Sequence, residues 1–291
     1  MCLSTSCVGR DVRPIKIEPM ICISMFTQLR EGPPARMGLE EVWGYLEFDG
    51  VTAIELVPSL LWGEGWDFEL DPPMKSLPPV GTVQSLFFGL PLLLSQDRLQ
   101  GSENAAWADR LERIRALSNS FPEVVFVLGA PSMRKMASST EKQALKNFQK
   151  RVEELAGVLE CSSLLAIENC GTHQGADFCI GLESAARIVG KCDSERVGVN
   201  LDLEAALVEG FGRLPAENVW ELLDSFGTSV HSIQLGVSAL GAHRDWIEGV
   251  LEIASIRGTV RTVAIEDSRF LDHSDIQAAV RVATDAFGMS L

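Results

Sequence analysis

Positive charge, histidine and tyrosine are all scarce in this chain of 291 residues. It carries 25 Lys and Arg against 40 Asp and Glu, a formal charge of −15, with four histidines and a single tyrosine. So negative a field opposes polyanions, which argues against nucleic acid and anionic membrane as partners. Long apolar runs are missing too. The longest, Leu86–Leu94, is interrupted by Gly89 and Pro91 and falls well short of the roughly 20 residues that a spanning helix needs. Met1–Pro19 has no apolar h-region, so it reads as a loose N-terminal tail rather than a signal peptide. None of the seven cysteines is paired at zinc-knuckle spacing, and reduced thiols in a cytoplasmic compartment are the expectation.

What the chain does have is apolar residues, 46% of the total, arranged in short runs between longer amphipathic segments. That alternation is the pattern of β-α units around a parallel sheet. Eight runs predict strands: 20–24, 51–57, 83–88, 124–129, 164–168, 197–202, 230–235 and 262–266. The clearest helix is 141–159, where Leu145, Phe148, Val152, Leu155 and Leu159 recur at spacings of three and four, with Thr140 as its N-cap. Further helices are expected at 39–46, 105–118, 182–189, 216–223, 246–256 and 274–287, the last capped by Ser274. An open doubly wound sheet would show a glycine-rich loop after its first strand, and 20–28 contains no glycine. The pattern therefore predicts one domain, a (β/α)8 TIM barrel over residues 20–291, preceded by the tail 1–19. The Pro-rich stretch 71–79 reads as a loop ahead of strand three. Trp62, Trp66 and Phe68, after strand two, either pack on one another or cover a substrate.

In such a barrel the C-terminal ends of the strands converge on one mouth, where an idle polar group is expensive. Strand five ends in Glu168-Asn169, strand six in Asp202 and strand eight in Glu266-Asp267, while strand seven opens Val230-His231. The period of two puts Ala166 with Glu168, and Ala264 with Glu266, on the inner face, with Ile167 and Ile265 turned to the helices. Glu168, Asp202, His231 and Glu266 are thus candidate ligands for one divalent cation. Three carboxylates and an imidazole suit Mn²⁺, Mg²⁺ or Co²⁺, and Zn²⁺ is compatible. Glu55 ends strand two and is a candidate supporting carboxylate.

The order Glu, Asp, His, Glu on strands five to eight, at intervals of 34, 29 and 35 residues, resembles the xylose-isomerase-like barrels, a superfamily of sugar (phosphate) isomerases and epimerases. The resemblance runs from about residue 20 to 285. It includes Ser85–Gly89 after strand three, Gly129–Lys135 after strand four, Gly175–Phe178 after strand five and His243–Trp246 before a late helix. It implies a metal-dependent proton transfer next to the carbonyl of a ketose, keto-sugar or keto-polyol. Glu168 and Glu266 would then be acid/base groups as well as ligands. It also makes Arg134, His173, His243 and Arg244 candidate contacts to a small carbohydrate-like substrate, Arg134 through an anionic end.

There are departures. The family's aspartate is followed three residues later by a substrate-touching histidine, where this chain has Ala205. An aspartate and an arginine should follow the strand-seven histidine, and here the residues are Gln234, Leu235, Gly236 and Val237. Four histidines in all are too few for the multi-zinc cluster of the related apurinic endonucleases. Three readings stay open: an isomerase or epimerase, a dehydratase or lyase on the same site, and a non-catalytic binding barrel. Trp43 and Trp220, if exposed on outer helices, would suit a homo-oligomer.

Overall fold

The structure, a computed structural model, describes residues 18–29, 48–66, 78–90, 92–136, 140–171, 176–267 and 270–289. Eight parallel strands close into a barrel: β1 Met20–Ser24, β2 Ala53–Leu56, β3 Val80–Val83, β4 Val125–Leu128, β5 Leu164–Glu168, β6 Val197–Asp202, β7 Val230–Gly236 and β8 Thr262–Glu266. Each pairs with its sequence neighbours, and β8 closes on β1 through Met20↔Thr262 to Ile23↔Ile265. A two-residue parallel pair, Gln28–Leu29 with Phe270–Leu271, links the loops after β1 and β8.

Outward-facing Ile21, Ile23, Ile54, Leu56, Phe126, Leu165, Ile167, Val199, Ile233 and Val263 join the helices in one continuous core. A fully buried aliphatic side chain of this kind contributes about 1.5–3 kcal/mol. Inward positions are smaller and form two separate apolar clusters, Cys22, Ala53 and Ala264 on one side and Val125, Val127 and Ala166 on the other. The predicted alternation at 166–168 and 264–266 is therefore observed. Above these clusters the inner face turns polar, and that change of layer marks the mouth.

The helices are α1 Pro58–Trp62, α2 Gly101–Ser120, α3 Glu141–Val158, α4 Leu182–Val189, α5 Leu203–Val208, α6 Glu217–Ser225, α7 Val237–Arg257 and α8 His273–Phe287. The α3 cap is as expected, with the Thr140 hydroxyl accepting from Gln143 N at 3.3 Å. α8 is capped by Asp272, two residues before the expected Ser274, through a reciprocal pairing with Asp275. α7 begins directly after β7, nine residues before the expected start, and is kinked at His243, where φ is −133° and ψ 26°.

β3 lies earlier than expected. Pro78-Pro79 abut the strand itself, and Pro79 O accepts from Ile54 N at 2.9 Å. The apolar Leu86 and Phe87 belong to the following loop, where Phe87 stacks on Trp107 at 4.8 Å. Trp66 is fully buried with the Arg110 guanidinium 4.3 Å above its ring, so it anchors its loop. Trp220 is buried beneath Arg257 and is not a contact for another chain. The tail to residue 17, the helix expected at 39–46 with Trp43, Phe68 and most of 71–79 lie outside the described residues. Among the described residues the cysteines are free thiols, and no helix is long and apolar enough to cross a membrane.

Candidate active site

Three carboxylates reach the mouth from strand ends and stay partly open to solvent: Glu168 on β5, Asp202 on β6 and Glu266 on β8. Each is positioned by a different local device. Glu168 rests over Gly129, where any side chain would overlap its carboxylate, which explains a glycine at the end of β4. Asp202 caps α5: its Oδ1 accepts from Ala205 N at 3.0 Å, while Asn169 braces its backbone through Asp202 N to Asn169 Oδ1 at 2.8 Å and Asn169 Nδ2 to Asp202 O at 3.0 Å. Glu266 accepts at Oε2 from two amides, Gln234 Nε2 at 3.0 Å and Gln84 Nε2 at 3.3 Å.

A fourth carboxylate, Glu55 near the end of β2, is fully buried beside them. Gln84, just past β3, also has Nε2 within hydrogen-bond distance of Glu55 Oε1 and Ser24 Oγ, so its two N–H groups are shared among three acceptors. Gln84 thus bridges Glu55 and Glu266, and Asn200 Nδ2 donates to Gln234 Oε1 at 2.7 Å to extend the chain of amides across the barrel.

Four acids in one low-dielectric mouth oppose one another's ionisation. Burial, followed by repulsion from Glu168 and Asp202, pushes Glu55 up to about 8, against the hydrogen bonding that favours its charge. Burial and the Glu168 charge push Asp202 up to about 7. Glu266 is raised well above the carboxylate range by burial and by Glu55, Glu168 and Asp202 together. Glu168 is raised by burial and partly relieved by the Arg134 cation. The cluster is therefore protonated in part near neutrality, the condition for groups that both accept and return protons.

Arg134 does not face a substrate. It is completely buried, donating from Nη1 to Glu168 O at 2.8 Å and Cys179 O at 2.6 Å and from Nη2 to Leu128 O at 2.7 Å, with its guanidinium 5.4 Å from the Phe148 ring centre. Its planar fork ties the ends of β4 and β5 to the loop before α4. The expectation of an anion contact is overturned because the guanidinium's donors are turned into the protein.

His231 is also displaced from the expected set. It is the second residue of β7, beside a register shift against β6, and its ring fills the space that Gly198 leaves by having no side chain. It lines a cavity of about 850 Å³ together with Leu164, Val197, Ser229 and Arg261, residues at or just before strand starts, so it lies at the floor of the barrel. Burial holds its pKa down to about 4.

The β7 residue level with Asp202 is Gln234, which also pairs with Ala264 on β8. Among the described residues no group of three His, Cys, Asp or Glu side chains is close enough together to hold a metal ion. The expected set of Glu168, Asp202, His231 and Glu266 does not fit the ion: its imidazole is at the wrong end, and an amide N–H occupies the corresponding place.

Of the remaining candidates, His243 is exposed at the kink of α7 and lines a groove of about 490 Å³ with Glu204, Ser238 and Asp267, which follow β6, β7 and β8. It is therefore at the rim. Arg244 is exposed and donates from Nε to Glu248 at 2.7 Å, which accounts for its charge without a substrate. His173 lies outside the described residues.

Solved structures superpose on nearly the whole chain. A D-tagatose 3-epimerase-like protein matches with a TM-score of 0.65 at 15% identity, covering 92% of this chain and 97% of the other. D-psicose 3-epimerase from Clostridium cellulolyticum H10, solved with D-tagatose, matches with a TM-score of 0.62 at 13% identity over 92% and 97%. A xylose isomerase-like TIM barrel protein from Mycobacterium smegmatis, in complex with magnesium, matches with 0.56 at 11% over the same shares. No family model matches the sequence, and no curated protein matches it. At these identities the likeness speaks for the fold, and the chemistry rests on the side chains at the mouth.

Sequence reasoning missed Gln84, Gln234 and Asn200. Gln234 was within reach: it lies two residues before the last residue of β7, on the inward face, at the height where the other strands present their carboxylates.

Proposed function

We propose that the protein is an isomerase or epimerase that moves a proton on the carbon beside the carbonyl of a small ketose-like or keto-polyol substrate. The observation that supports this most is the set of solvent-reachable acids Glu168, Asp202 and Glu266 at the ends of β5, β6 and β8, each raised above the ordinary carboxylate value by burial, Asp202 and Glu266 by neighbouring charges as well. A carboxyl raised in this way is a stronger base when ionised and is more readily available as an acid. Glu168 and Glu266 stand three strands apart with amides between them. One takes the proton from the carbon and the other returns it, and an epimerisation follows if the two act on opposite faces. Asp202, half engaged in capping α5, keeps its second oxygen for a substrate hydroxyl. His243, at the rim, meets the far end of the substrate in this reading. The likeness to sugar epimerases agrees with this substrate class. Among the described residues the donor set does not suit a resident divalent ion.

The test is deuterium exchange. In heavy water, a panel of ketoses and keto-polyols should acquire deuterium beside the carbonyl with wild type, read by NMR. Glu168→Gln and Glu266→Gln should each slow exchange by about 10²–10⁴-fold. Water loss from the substrate with proton abstraction intact would move the reading to a lyase. Absence of exchange across the panel, or full exchange by either Gln variant, would overturn the two-glutamate model.

A further inference from the structure

We infer that Gln234 stands in place of a cation at this mouth: its amide holds Glu266 by a hydrogen bond where a metal-binding imidazole would let an ion do so, and one substitution, Gln234→His, would build the metal site. The inference rests on the placement of the acids, which the proposed function shares, and is independent of which reaction they perform.

Gln234 is buried, is level with Asp202 on one side and Ala264 on the other, and lies two residues before Gly236, which pairs with Glu266. Its amide is engaged at both ends. Oε1 accepts from Asn200 Nδ2 at 2.7 Å, and Nε2 donates to Glu266 Oε2 at 3.0 Å and to Gln84 Oε1 at 3.4 Å. With Asn200 as it stands and Glu266 ionised, as it would be beside a cation, these partners favour this orientation. Turned over, the amide would set its oxygen against the Glu266 carboxylate and its NH₂ against that of Asn200, two repulsive contacts in place of two attractive ones. The face that Gln234 presents to Glu266 is therefore a positive dipole end rather than a lone pair. To bind an ion through Oε1 it would have to give up Asn200 and rotate away from Glu266.

The rest of the layer is arranged in the same sense. Gln84 gives a second N–H to Glu266 Oε2, and the α5 backbone takes Asp202 Oδ1. Neutral donors thus offset the carboxylates one oxygen at a time, where a divalent ion would gather several oxygens to one centre. A histidine at 234 would remove the donor from Glu266 and supply an imidazole nitrogen at the height of Asp202 and Glu168. Relief of repulsion among the acids would then favour the ion. Gln234 is a positioning residue in this account, and its role is visible in cation affinity without any turnover.

Titration calorimetry with Mn²⁺ as the only probe tests this on metal-stripped full-length protein near pH 7.5. Wild type should bind weakly, and Gln234→His should bind at least about tenfold more tightly, an increase that Glu266→Gln in the same variant should abolish. His231→Ala should leave Mn²⁺ binding unchanged, because His231 is at the floor. Micromolar Mn²⁺ binding by wild type that is lost in Glu266→Gln would overturn the inference, as would a folded Gln234→His that binds no better. Should Gln234→His fail to fold, the wild-type titration with its Glu266→Gln control decides alone. Exchange beside a carbonyl is measured separately, so failure here leaves the proton-transfer reading to its own test.

Discussion

Replacing Glu55 with glutamine should stabilise the protein, and by an amount that grows with pH. Glu55 is fully buried, and burial with repulsion from Glu168 and Asp202 raises its pKa from 4.5 to about 8. A raised folded-state value means that folding favours the protonated acid. Below about pH 4.5 both folded and unfolded states hold the proton, and no penalty exists. Between 4.5 and 8 the unfolded chain ionises while the folded one stays protonated, so stability falls as pH rises, and above 8 the loss is complete. At about 1.4 kcal/mol per pKa unit the ceiling is ~5 kcal/mol. Water entering through the open mouth and relaxation of the neighbouring acids reduce the expected value to about 2–4 kcal/mol. Glu55→Gln has no proton to lose and nearly the same shape. Urea unfolding followed by tryptophan fluorescence at pH 5.5, 7.0 and 8.5 should show the variant's advantage widening by about 2 kcal/mol or more across the series. A difference that stays flat with pH, or a wild type that is the more stable at 8.5, would refute the reasoning.

Arg134→Met should lower stability by about 3 kcal/mol or more, because three strand-end and loop carbonyls lose their donors in a sealed site; an unchanged melting temperature would contradict the placement. His231 has the opposite pH sense to Glu55. Its folded pKa of about 4 lies below the ordinary 6.5, so the stability it confers is complete above 6.5 and declines as pH falls towards 4. His231→Leu should remove about 1 kcal/mol of the acid-side decline between pH 6.5 and 5.5, read as a smaller shift in melting temperature over that interval.

Much of the barrel was legible because its strands are short β-branched runs cut off by turns. β1, β5, β6 and β8 fall on the residues expected of them. The errors have local causes. Pro79 and Gly81 look like punctuation, yet a strand of four residues begins between them, while the more apolar Leu86-Phe87-Phe88 is loop, with Phe87 stacked on Trp107 of α2 and Phe88 exposed. α1 and α5 are five and six residues long, too short for a helical period to show. The first turns of α7 were hidden by Gly241 and by the kink at His243, which break the amphipathic pattern that resumes at Trp246.

The site divides along the same line. Glu168, Asp202 and Glu266 were legible from one rule, that polar residues at the C-terminal ends of barrel strands face the mouth. His231 was chosen for its side-chain type and not for its height. β7 runs on to Gly236, and a residue at the start of a seven-residue strand is about 15 Å or more below its far end at ~3.3 Å per residue. Height on the strand selects Gln234 instead. What no strand pattern discloses is which way a long side chain turns: Arg134, in the loop after β4, could reach the mouth or fold back. It folds back because Glu168 O, Cys179 O and Leu128 O converge there and accept its donors. Arg134 consequently does not sit over the acids at the mouth. Among the described residues the acids are held by amides beside them and by the Arg134 guanidinium behind, an arrangement that leaves their outer oxygens to whatever enters from solvent.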